Sequence, residues 1–104
     1  MANWNPPNKG EAFEFSVSLE NMSSAGSFKA NPTLAAGDVQ ISKDDAGFAN
    51  LATLPSVSPA AGVAVKVELS ATEMDADKVM VVFIDQTATK EWADRSICIL
   101  TTTP

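Results

Sequence analysis

Histidine and tyrosine are absent from this 104-residue sequence, and cysteine occurs once, at Cys98. Without histidine the commonest general acid–base side chain is missing, and no imidazole can activate Cys98 as a nucleophile. A single cysteine forms no intrachain disulfide. Its apolar neighbours Ile97, Ile99 and Leu100 suit a buried thiol that packs as a small hydrophobe. The sequence holds neither a Gly-rich phosphate loop nor a Cys/His cluster with metal-ligand spacing. Positive charge is scarce, with seven Lys plus Arg against thirteen Asp plus Glu and a net charge of −6. That balance lacks the basic footprint that neutralises phosphates, and it disfavours an anionic membrane surface. No run approaches the roughly 18 apolar residues of a membrane helix, and Met1 to Pro7 lack the apolar centre of a signal peptide. The expectation is a protein made in a cytoplasm, with no nucleic-acid or membrane partner, no catalytic residues, no cofactor and no metal site.

What is present is alternation. Residues 13–20 (FEFSVSLE) place Phe13, Phe15, Val17 and Leu19 on one face and Glu14, Ser16, Ser18 and Glu20 on the other, the period of a half-buried strand. Residues 63–69 (VAVKVEL) repeat the pattern, with Val63, Val65, Val67 and Leu69 expected inward. A short strand is expected at 38–42, with Val39 and Ile41 inward, then a hairpin turn over Lys43 to Gly47 and an irregular strand from Phe48 to Leu54. Residues 21–37 read as a loop with a brief extended stretch near Ser27 to Ala30, and Pro55 and Pro59 punctuate another loop. Ser70 and Glu73 have capping-box spacing, so one helical turn through Met74 is expected at 70–76, with Met74 plugging the core. Strands at 78–84 and 96–102 complete the set. Several short strands between turn signals predict an all-β fold, a small immunoglobulin-like antiparallel β-sandwich with one short helical turn. Residues 1–12, with Asn5-Pro6-Pro7-Asn8, read as an irregular arm, and residues 13–104 as the single domain.

The order of motifs resembles a known family. Asn31-Pro32-Thr33-Leu34-Ala35-Ala36-Gly37-Asp38 leads into Ile41-Ser42-Lys43-Asp44, then Gly47-Phe48-Ala49-Asn50-Leu51, then Leu69 to Asp77 (LSATEMDAD) and the Val-rich stretch Val79 to Phe83. Over residues 30–102 this is similar to the small immunoglobulin-like domains of structural proteins in tailed bacteriophages and prophages. Asp45-Ala46 stand where that family often has two glycines. The resemblance implies a virion protein synthesised in the bacterial host. Its partners would be phage capsid or tail proteins, and many copies would sit on one particle as a homo-oligomer or repeated array. A chain of one domain and a short arm favours a stand-alone capsid decoration protein. The alternatives are a tail, baseplate or fibre adaptor, or a module that binds a host-surface glycan or receptor.

The candidate binding residues fall in two groups. Trp4, Pro6 and Pro7 belong to the arm. Trp4 is a flexible tail residue, a tuck onto the domain's own edge, or an anchor for a partner's pocket, since Trp is enriched in binding hot spots. Trp92 is expected to be partly buried, with its indole N–H needing a partner. The second group comes from a strand that is apolar on both sides. Val79, Val81 and Phe83 form one face, while Met80, Val82 and Ile84 form the other, and Ile97 and Ile99 oppose Cys98 and Leu100 in the next strand. Paired as a hairpin, Met80, Val82, Ile84, Cys98 and Leu100 merge into a patch on the order of a few hundred Å², the scale of interaction sites. Either the arm or the 21–37 loop covers it, or a neighbouring subunit does. Glu73, Asp75 and Asp77 read as a capped turn with solvated acids. Calcium is the sharper alternative there, but Asp44 and Asp45 are expected in a different turn, and two carboxylates supply too few oxygens.

Overall fold

The computed structural model describes residues 7–103, and the strands lie among these residues. Seven strands form two antiparallel sheets: β1 (Phe13–Ser18), β2 (Val39–Lys43), β3 (Phe48–Asn50), β4 (Ser56–Val57), β5 (Ala64–Leu69), β6 (Lys78–Phe83) and β7 (Arg95–Leu100). One sheet has the order β1-β5-β4 and the other β3-β2-β6-β7. These are the neighbour relations B-E-D and C′-C-F-G of an immunoglobulin sandwich, with no described strand in the place of A.

The core lies between the sheets. Val17, Val65, Val67 and Leu69 face Val39, Ile41, Val79, Val81, Phe83 and Ile99 across it. The alternation of β1 and β5 therefore reports burial as expected: Val65, Val67 and Leu69 are buried while Glu68 is exposed. Val63 departs from expectation. It is 42 % exposed, because β5 begins only at Ala64, after the turn through Ala61 and Gly62. The Lys43 to Gly47 hairpin forms, with Asp44, Asp45 and Gly47 all at positive φ, and it sets Ser42 opposite Phe48. The 27–30 stretch contributes an isolated bridge, Glu20 to Phe28. β4, between Pro55 and Pro59, was expected to be loop and instead pairs Ser56 and Val57 with β5.

Trp92 is deeper than its polar neighbours suggest. It is fully buried, and its Nε1–H donates to Thr33 O at 3.3 Å. Asn21 bridges to Trp92, so the indole seals the end of the core where the first sheet meets the segment entering β7. The described part of the arm is tied down as well. Thr102 N–H donates to Pro7 O at 2.9 Å, Lys9 N–H to Thr102 O at 2.8 Å and Gly10 N–H to Met74 O at 3.0 Å.

The capping box is reciprocal. Glu73 N–H donates to Ser70 Oγ at 3.1 Å, and Ser70 N–H to Glu73 Oε1 at 2.8 Å. Met74 N–H donates to Ser70 O at 3.0 Å, which closes one α-type turn. A second bond, Asp75 N–H to Thr72 O at 3.2 Å, overlaps it, the turn goes no further as helix, and Met74 below it is fully buried. Glu73 also accepts from Ala52 N–H at 3.0 Å, joining this turn to the segment after β3. Ser70→Ala should lower stability by about 1 kcal/mol, the usual loss of an N-cap. Denaturant unfolding measures it, and a change near zero would show that the hydroxyl contributes nothing.

Candidate partner-binding face

Register decides what the four-stranded sheet shows to solvent. β6 pairs with β2 through Ile41–Val81 and Ser42–Met80, and with β7 through Val81–Ile97 and Met80–Cys98. Val79, Val81 and Phe83 thus point into the core, where they are fully buried. Met80 and Val82 point outward with Cys98 and Leu100, and Ile84 extends the strip just past the strand's end. The structure therefore brings together five of the expected residues. Met80, Val82 and Ile84 are half-buried, Cys98 is exposed, and Leu100 is 68 % exposed. Cys98 was expected to be a buried thiol. It lies on the outer face of an edge strand, with β6 beside it on one side only among the described residues.

Phe48 belongs to the same face. One cross-strand row reads Phe48, Ser42, Met80, Cys98, and the next reads Asn50, Gln40, Val82, Ser96. Phe48 is 55 % exposed. The signal for it was present, because an inward Ile41 makes Ser42 outward and the hairpin then carries Phe48 to Ser42's side. Polar side chains interleave, and Gln40 Nε2 donates to Asn50 Oδ1 at 3.0 Å.

Neither segment expected to cover this face crosses it in its described part. The 21–37 loop is bonded elsewhere: Met22 N–H to Glu91 O, Asn31 N–H to Gly62 O and Thr33 N–H to the Glu91 carboxylate. Pro7 sits half-buried beside Thr102, beyond the end of β7 and away from Met80 and Val82. Trp4 and Pro6 lie outside the described residues.

Carboxylates fasten the turns at both ends of the sandwich. Asp44 was expected to lie apart from the 70–77 turn. Instead its carboxylate accepts from Asp77 N–H at 3.1 Å and Lys78 N–H at 3.0 Å, so the two acidic turns meet. Lysines lie among them: Lys9 pairs with Asp77 at 3.2 Å and Lys78 with Asp45 at 2.8 Å. These hydrogen bonds raise both lysines above the ordinary value. Among the described residues no three acidic or thiol side chains converge at metal-holding distance. At the other end, buried Asp38 accepts from Ala35 N–H and Gln86 N–H. Asp85, also buried, accepts from Thr87 N–H, Thr87 Oγ1–H and Glu91 N–H. Burial pushes the Asp85 carboxyl up, but the accepted hydrogen bonds together outweigh it and hold the group below the ordinary carboxylate value.

Fold and face define a class: an immunoglobulin-topology sandwich with an exposed, partly apolar sheet face. Comparison with protein-family models, with curated proteins and with solved structures finds no match to this chain.

Asp85→Asn should cost about 1–3 kcal/mol at neutral pH, the range for weakening buried hydrogen bonds to a charge. Because the folded pKa lies below the unfolded one, the wild-type advantage is present above the unfolded value of about 4 and is lost as pH falls through the lower folded value. Denaturant unfolding of both proteins should therefore show a gap that closes with acid. A gap constant from neutral pH to strong acid would contradict this.

Proposed function

We propose that this chain is a non-enzymatic structural protein of a tailed-phage virion, a capsid decoration protein that binds the assembled shell. The observation carrying the reading is the outer face of β6 and β7, where Met80, Val82, Ile84 and Leu100 meet solvent on a sheet whose other side already forms the core. Apolar side chains gathered on one face gain free energy when a neighbour covers them, roughly 25 cal/mol per Å² removed from water. The family resemblance supplies the kind of neighbour. A protein that binds only the assembled shell stabilises that state by mass action.

Val82→Lys tests the face. Val82 is half-buried and outward, so a lysine there can reach water and the free protein should stay folded. On a covered face the same charge is buried without a partner, so particle binding should fall by a factor of about 100 or more. Val81→Lys is the control, since Val81 is fully buried and this change should unfold the domain. Thermal melting and co-sedimentation with purified shells give the two readouts. A Val82→Lys protein that folds and still binds shells normally overturns the assignment of this face. Antibody labels at the tail tip instead of the head would replace decoration by a tail role.

A further inference from the structure

β1 is the outer strand of its sheet, and among the described residues no strand continues that sheet on the side away from β5. Which backbone groups face that side follows from the hydrogen bonds. Ser58 N–H donates to Ala64 O at 3.1 Å, so the Ala64 backbone is turned to the β4 side. Backbone groups alternate along an antiparallel strand, so Val65 faces β1 and exchanges bonds with its register partner Val17. Ser16 and Ser18 therefore turn their N–H and C=O groups to the open side. Glu20 follows the same alternation: its C=O accepts Ala93 N–H at 2.9 Å, next to the antiparallel bridge of Asn21 with Trp92. The 91–93 segment thus fills this edge at Glu20 and then leaves, at Arg95, to become β7 in the other sheet. The edge is open at Ser18 and Ser16.

Two adjoining grooves, of about 310 and 280 Å³, run along β1 between Arg95 and Ile97 on its open side and Ala64 and Phe28 on its β5 side. The first is lined by Ser16, Val17, Phe28, Arg95 and Ile97, and the second runs on from Ser18 to Gly26. Phe28, 59 % exposed, and Arg95 border both. Arg95 is the sole arginine of the sequence, and it makes no ion pair among the described residues.

We infer that the open edge of β1 accepts an extended segment of another protein as a fourth strand, in the place strand A holds in an immunoglobulin sheet, and that this segment carries a carboxylate for Arg95. Backbone bonds to Ser16 and Ser18 supply the pairing, as in β-strand addition, and alternate side chains supply the choice of partner. An apolar side chain of that segment would lie toward Val17 and Ile97. The partner's charge is argued from complementarity: an unpaired guanidinium borders the groove of a chain whose net charge is −6. The groove's own acid, Glu20, is held by Gly26 N–H at 3.0 Å, so the incoming carboxylate belongs at the Ser16 end. Residues 1–6 (MANWNP) hold no Asp or Glu, so they supply no carboxylate for Arg95. The inference stands apart from the outer face of β6–β7 and does not depend on the virion reading.

The test uses two soluble peptides of alternating Val and Thr, identical but for a central Glu or Gln, titrated into the full chain and followed by amide chemical shifts. The Glu peptide should shift Ser16 and Ser18 and bind about three- to tenfold more tightly than the Gln peptide, as a partly exposed charge pair allows. Arg95→Ala should erase that difference. Ser16→Pro removes a donor on the open side, where proline is tolerated in an edge strand, and should weaken both peptides with the melting temperature little changed. Equal binding of the two peptides, an undiminished preference in Arg95→Ala, or no binding of the Glu peptide at millimolar concentration overturns the inference. So does binding that appears only once residues 1–6 are removed, which would make the chain's own arm the occupant.

Discussion

The four-stranded sheet is registered on β6, which pairs with β2 from Val79 to Phe83 on one side and with β7 along its whole length on the other. Taken alone, β6 specifies its register poorly. A slip of one residue would exchange Val79, Val81 and Phe83 for Met80, Val82 and Ile84, an equally apolar set. Its neighbour β2 settles the matter, because Val39 and Ile41 alternate with Gln40 and Ser42. The Asp44 carboxylate adds a pin by holding the N–H groups of Asp77 and Lys78 at the point where β6 begins. The core and the exposed face are thus two sides of one decision, and the apolar residues left outside come from the strand whose inner side fills the core.

The acidic composition has an internal use. Asp38, Asp44, Glu73 and Asp85 each accept hydrogen bonds from backbone N–H groups of turns. Turns leave N–H groups without ladder partners, and buried ones need acceptors. Carboxylates provide these with two oxygens each, so one side chain can join two segments, as Glu73 joins Ser70 to Ala52. Part of the negative charge is therefore structural rather than solvating.

The two-sheet architecture was legible in the sequence where alternation was one-sided. At 13–20 and 63–69 the polar face leaves no doubt which side is buried, and the capping box was readable because its bonds span only residues 70 to 73. The inner and outer sets of β6 and β7 also followed from period two. What escaped depended on pairings distant in sequence. β4 is two residues whose strand character comes only from β5. The burial of Trp92 is set by Asn21 and Thr33, and the meeting of the acidic turns joins residues 44 and 77. Val63 matched the alternation but fell one residue before the strand began. Arg95 carries no signal of its own in a polar stretch, since its position between two sheets is a matter of topology.

The bridge between Asn8 and Thr102 is parallel, with Thr102 bonded both to Pro7 and to Lys9. The chain runs the same way through both segments, so Pro7 and Thr103 leave the bridge in opposite directions. A force drawing those two ends apart would therefore slide one segment lengthwise past the other. Both hydrogen bonds would bear the load together, rather than opening one after the other as in a hairpin peeled from its tips. The domain is built to meet tension along its ends in shear.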